Sequence, residues 1–132
     1  MRAREFIVEY ITRQELTQVK QSLAKFYSTI GMDIQFSNHF LERCNDPRNG
    51  KEISVAEVIR LFREEFKTYG NKLSSLGPDA HGVLMDLGTH LNVSFVINYD
   101  YRTRTLDLVA KNIMRKTKYF PNDPTDVELP IR

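Results

Sequence analysis

The chain is poor in the residues that mark a stapled, metal-bound or membrane-embedded protein. Cys44 is its only cysteine, so a disulfide framework and a cysteine-based zinc site are both excluded. Its three histidines, His39, His81 and His90, lie in no H-E-x-x-H pattern and have no spacing specific to zinc, so no metal is expected. The longest apolar runs are a handful of residues, against the roughly 20 a membrane span requires. The first residues, Met1-Arg2-Ala3-Arg4-Glu5, lack the apolar stretch of a signal peptide, and a reducing, cytoplasmic setting is expected. No G-x-x-x-x-G-K-[ST] or G-x-G-x-x-G loop is present, and no cofactor is expected. A net charge of +2 is too small by itself to imply nucleic acid.

What is there describes an ordinary globular domain. The chain has 132 residues, 41% hydrophobic and 27% charged, enough to bury a real core. Thr12-Arg13-Gln14-Glu15 is a capping box, and Leu16, Val19, Leu23, Phe26, Tyr27 and Ile30 form one apolar stripe behind it. With Gly31 as the left-handed stop, the pattern predicts a helix over 12–30. Residues 5–11 read equally as a strand or as a helical lead-in, and residues 32–36 as a short bridge. A second capping box, Ser54-Val55-Ala56-Glu57, opens a longer apolar stripe from Val55 to Leu73. Its polar face carries Glu57, Arg60, Arg63, Glu64 and Lys67 and is expected in solvent, with Gly70 fraying its end.

Beyond Gly77-Pro78-Asp79 the period changes from helical to two. Residues 92–99 alternate as a strand, residues 100–104 form a hairpin loop, and a return strand runs from Leu106 towards Met114. Gly82 and Gly88 favour a strand for residues 81–87. Helices first and strands after give an α+β domain over residues 1–120, its N-terminal helices packed on a C-terminal antiparallel sheet of about three to four strands. Residues 121–132 carry Pro121, Pro124 and Pro130 with three acids and are expected to hang loose or to wrap the surface.

The chemistry concentrates in the octapeptide Ser37-Asn38-His39-Phe40-Leu41-Glu42-Arg43-Cys44. Read as a short helix capped by Ser37 or Asn38, it places Phe40, Leu41 and Cys44 on one side and His39, Glu42 and Arg43 on the other. An imidazole can act as base or acid near neutral pH, and a guanidinium grips phosphate oxygens with two prongs. Together with a carboxylate they meet the needs of metal-independent RNA cleavage: a base for the 2′-hydroxyl, an acid for the leaving oxygen and a cation for the phosphorane. Read blandly, Glu42 and Arg43 are surface charges and His39 packs locally. His81 is the candidate second proton-transfer group, with His90 as the other choice. Cys44 falls on the apolar side, where a thiol behaves as a small hydrophobe.

Charge supplies the second clue. Between positions 102 and 118 stand six basic residues, Arg102, Arg104, Lys111, Arg115, Lys116 and Lys118, against the single acid Asp107. Tyr119 and Phe120 follow them. Cations with adjacent aromatics suit single-stranded nucleic acid, and Arg48 in the turn-rich stretch 45–52 adds to the set. The competing reading is a solvated strand with ordinary surface lysines.

His39-Phe40-Leu41-Glu42-Arg43, followed by a loop and a helix around Val58-Ile59-Arg60-Leu61-Phe62, resembles the start of phage RegB-type endoribonucleases and of small RelE-like toxins of the barnase–EndoU–colicin–RelE group. The resemblance covers residues 34–118. It implies a histidine helix, a second helix and a curved antiparallel sheet, and a phage-encoded, metal-independent ribonuclease leaving a 2′,3′-cyclic phosphate in the host cytoplasm. His39 and Arg43, with Glu42, sit on positions that match; Arg115 is expected to join Arg43 as a phosphate clamp. RNA is then the partner, with no membrane and no small-molecule cofactor. Two other readings stand beside it: a non-catalytic nucleic-acid-binding or regulatory module, and a virion or assembly protein that contacts phage or host proteins.

Overall fold

The computed structural model describes residues 11–117, 119, 123 and 125–132. Most of the undecided stretch 5–11, together with Lys118 and Phe120, lies outside the described residues. The order of elements is α1 (Arg13–Tyr27), a 3-10 turn (Ser28–Ile30), β1 (Met32–Phe36), α2 (Asn38–Cys44), a second 3-10 turn (Pro47–Asn49), α3 (Val55–Leu76), β2 (His81–Asp86), β3 (Leu91–Asp100), β4 (Thr105–Arg115) and β5 (Val127–Ile131).

Both expected capping boxes form. Thr12 and Glu15 exchange side-chain and backbone hydrogen bonds at the start of α1, and Ser54 and Glu57 do the same for α3. The α1 stripe buries Leu16, Val19, Leu23 and Tyr27, and Gly31 at φ +72° closes the turn that follows. In α3 the buried set is Val58, Leu61, Phe62, Glu65, Gly70 and Leu73. Gly70 lies inside this helix, packed beneath the Phe66 ring; the chain leaves the helix at Gly77, at φ +78°.

The sheet has five strands in the order β1-β4-β3-β2-β5. Its centre is the expected antiparallel set, β4 with β3 and β3 with β2. The expectation of three to four antiparallel strands needs correcting at both edges. Residues 32–36 are not a bridge but a strand parallel to β4, and part of the terminal segment expected to hang loose or wrap the surface pairs parallel to β2 as β5. Each parallel edge joins segments far apart in sequence, which local periodicity cannot reveal. Pro130, which donates no N–H, sits on the edge strand β5, where a ladder bond can be spared.

All three helices contribute to one hydrophobic core with the sheet, through residues such as Leu23, Phe40, Phe62, Phe95 and Leu108. A bulge in the β3–β4 ladder leaves Lys111 without a partner, since Ser94 pairs with Asn112 and Phe95 with Ala110. The bulge anchors α2. The Lys111 carbonyl accepts from Ser37 Oγ at 3.1 Å, and the Ala110 carbonyl accepts from the Ser37 N–H at 3.1 Å.

Candidate nucleic-acid interface

Ser37 is the cap of α2: its Oγ also accepts from the Phe40 N–H at 3.0 Å. The seven residues that follow divide by face as their spacing predicts. Phe40 and Cys44 are buried, while His39 and Glu42 are exposed and Arg43 is half-buried. Burial pushes the Cys44 thiol up to about 12, which leaves it protonated and unreactive at neutral pH. His39 Nδ1 lies 3.9 Å from Glu42 Oε1, a long contact between two exposed side chains.

At the other end of α2 the chain builds a cleft of about 360 Å³. Arg43, Asp46, Arg48 and Asn49 line one wall, and Ile113, Met114, Arg115 and Lys116 line the other. Four cations from α2, the 3-10 turn and the end of β4 therefore meet around one acid. Asp46 caps the 3-10 turn by accepting from the Arg48 N–H at 2.9 Å. Its carboxylate also accepts from Arg43 Nη1 and from Arg48 Nη2, each at 2.7 Å. Hydrogen bonds from the Arg48 side chain and amide, with a further one from Arg43, hold the Asp46 carboxyl well below the usual carboxylate range. Arg48 remains largely exposed, and the Arg43 Nε is buried without a hydrogen-bond partner.

Asn49 joins the two walls. Its Nδ2 donates to the Arg43 carbonyl at 2.8 Å, and its Oδ1 accepts from the Arg115 N–H at 3.0 Å. Behind the far wall, Asn92 Nδ2 donates to the carbonyls of His90, Met114 and Lys116. Sequence reasoning did not single out Asp46, Asn49 or Asn92. The first two stand in a stretch dense in turn formers, a pattern that signals a loop without saying which side chain bridges it.

The expected site residues fall into three places. Arg43, Arg48, Arg115 and Lys116 line the cleft. Arg115, however, spends all five of its donors inside the fold. It reaches both Glu57 oxygens and the carbonyls of Thr89, Glu52 and Lys51, at 2.8–3.3 Å. It builds the wall, and no N–H remains on it to grip a phosphate.

His81 and Lys111 meet elsewhere, in a hollow of about 190 Å³ with Ser94, Tyr119, Asp123 and Asp126. His39 and Glu42 line neither hollow. His90 sits in the β2–β3 turn at φ +64°, where its carbonyl accepts from the Lys116 N–H at 2.8 Å.

Among the described residues no group of three or more His, Cys, Asp or Glu is placed to hold a metal ion, and no helix is long and apolar enough to cross a membrane. No family model, curated protein or solved structure matches the chain.

Proposed function

We propose that the protein is a metal-independent endoribonuclease of RelE/RegB-like type, phage-encoded, that holds RNA phosphates in the cleft between α2 and the end of β4. The observation that carries this reading is the convergence of Arg43, Arg48 and Lys116 on that cleft. Arg43 follows His39 by four residues, so the two share one helical face about 6 Å apart. A phosphate gripped by Arg43 thus lies within a helical turn of the imidazole. In this reading His39, oriented by Glu42, takes the proton of the ribose 2′-hydroxyl as that oxygen bonds to phosphorus. The P–O5′ bond breaks, the 5′-oxygen leaves with a proton from water, and Arg43 with Arg48 and Lys116 balances the charge on the phosphorane. The order of elements, α2 then α3 then the antiparallel strands β2, β3 and β4, also follows the resemblance.

The test is cleavage of mixed RNA in the presence of a chelator, comparing the wild type with His39→Ala and Arg43→Ala. The wild type is expected to leave 2′,3′-cyclic phosphate ends, and His39→Ala to lose on the order of a hundredfold or more in rate. Equal cleavage by wild type and His39→Ala, or none by either, overturns the catalytic reading.

A second reading, an RNA-binding module without cleavage, is favoured by the long His39–Glu42 contact and by the composition of the cleft, whose lining includes no histidine. It expects RNA binding that weakens steeply with salt and is indifferent to His39.

A further inference from the structure

The tip of the β3–β4 hairpin carries one uncovered ring, Tyr101, set edge to face against a partly covered one, Tyr99. Tyr101 is 85% exposed and Tyr99 38% exposed, and their centroids stand 4.7 Å apart with the planes at 83°. The turn beneath them is tightly bonded. The Asp100 carboxylate accepts from the N–H groups of Arg102 and Thr103, and the Asp100 carbonyl accepts from the Arg104 N–H at 2.8 Å. The hydroxyls of Thr103 and Thr105 bond at 2.6 Å. Arg104 holds φ +58°, which an L-residue adopts only at a cost. Arg102 and Arg104 in the same turn are exposed, and the single acid of the turn, Asp100, is engaged by two amides and by Arg102, whose Nε lies 3.8 Å from Oδ1. Paying to order a loop while leaving its aromatic rings in water is the pattern of a surface organised in advance for a ligand.

The composition of the tip says which ligand. Among the described residues the other large exposed hydrophobic is Leu87, in the β2–β3 turn at the far end of the ladder. The aliphatic neighbour in the ladder is Leu106, which pairs with Tyr99 and is half-buried, so the tip offers two rings rather than the broad exposed apolar patch that a protein partner or a lipid surface would cover. Two rings in a turn that also carries two exposed arginines instead match unpaired bases, which stack on aromatic faces while cations hold the phosphates between them. We propose that the β3–β4 hairpin tip, through Tyr99 and Tyr101 with Arg102 and Arg104, is a base-stacking platform for single-stranded RNA. The proposal takes its ligand class from the RNA reading above, but its residues are separate from the cleft. Leu91 pairs with Arg115 at the cleft end of the ladder and Asp100 with Thr105 at the tip, nine steps or about 30 Å apart.

The experiment is fluorescence anisotropy of the full chain with labelled oligouridylate and oligoadenylate, and with inorganic polyphosphate as a probe that carries charge but no bases. Tyr101→Ala is expected to weaken oligonucleotide binding about tenfold, by loss of one stacked base. Tyr101→Phe should keep affinity within about twofold, and polyphosphate should bind both variants as it binds the wild type. Tyr101 is too exposed for its replacement to disturb folding, so a loss reads on binding. Oligonucleotide affinity unchanged in Tyr101→Ala but lost in the double variant Arg43→Glu/Arg48→Glu overturns this proposal and leaves the cleft reading standing. Affinity lost in Tyr101→Ala but kept in the arginine variant supports the tip and removes the cleft. No oligonucleotide binding by the wild type overturns both, as does Tyr101-dependent capture of anionic vesicles or of a protein in its place.

Discussion

Arg115 on β4 and Glu57 on α3 form a two-pronged ion pair, Nη1 to Oε2 at 3.1 Å and Nη2 to Oε1 at 2.9 Å. Glu57 is at the same time the reciprocal partner of Ser54 in the α3 capping box. One carboxylate thus caps a helix and ties that helix to the sheet. Burial pushes the Glu57 carboxyl up, but the hydrogen bonds from Arg115 and the Ser54 N–H outweigh it and leave it below its ordinary value.

Both side chains of the pair are more than four-fifths covered, so it holds its charges largely away from water. Arg115→Ala leaves the carboxylate and three carbonyls without their donor and is expected to cost about 3–5 kcal/mol in urea unfolding. Arg115→Lys should recover little, since an ammonium cannot reproduce a five-donor fork. A loss below about 1 kcal/mol would return Arg115 to the set of free phosphate ligands.

Glu65 makes stability fall with rising pH. It is fully buried in α3, neither carboxyl oxygen has a hydrogen-bond partner among the described residues, and burial first, then the nearby Asp86 charge, pushes it up to about 9. The titratable groups whose charges act on or feel Glu65 are Tyr27 and Tyr69, themselves raised by burial and then by Glu65, and Asp86, which is paired with Arg60. Between the ordinary 4.5 and about 9 the folded chain holds a proton that the unfolded chain has released. Stability from this group is therefore complete below pH 4.5 and declines by up to about 1.4 kcal/mol per pH unit until pH 9, where it levels off. Glu65→Met removes the slope. The variant should exceed the wild type in urea midpoint by more at pH 8 than at pH 5, and equal gains at both would show that the carboxyl is not the cause.

Helices with their own start signals were legible in the sequence. Thr12 with Glu15 and Ser54 with Glu57 marked α1 and α3, and Ser37 or Asn38 marked α2, where the cap is Ser37, because a cap and its target lie three residues apart. The hairpin was legible for the same local reason. The parallel edges were not, since Met32 meets Leu106 and Val127 meets Gly82, partners 74 and 45 residues apart. The candidate site divides along the same line. The two faces of α2 followed from spacing, whereas the engagement of Arg115 by Glu57 joins residues 58 apart, and Lys111 owes its setting to a bulge that no strand alternation reveals.

Gly82 is required by contact. A Cβ there would stand 2.5 Å from Phe95 Cζ and 2.8 Å from the Val127 carbonyl oxygen. The ring end can shift, but the carbonyl belongs to β5 and can yield only by moving that strand. Gly82→Ala is expected to cost about 1–3 kcal/mol. Amide exchange should speed up first at Leu129 and Ile131, while α1 and the β3–β4 ladder keep their protection. Uniform loss across the sheet would place the strain at Phe95 instead.

Arg48 and Lys116 both line the cleft and are exposed, and among the described residues they differ from Arg115, whose donors are all engaged, in keeping donors towards solvent. If both neutralise phosphates of a single strand, each releases counterions on binding, and the slope of log K against log salt falls by about 0.7 per contact removed. Arg48→Ala and Lys116→Ala should each weaken oligouridylate binding at low salt and flatten the slope by that amount, and the double variant by about twice as much. Asp46 gives the control. Its carboxylate is held ionised between Arg43 and Arg48, so Asp46→Asn keeps the turn cap yet removes a negative charge from the cleft. That change should tighten binding and steepen the salt slope. A variant that binds more weakly than the wild type would mean that the carboxylate serves chiefly to hold the two guanidinium groups in place for the phosphate.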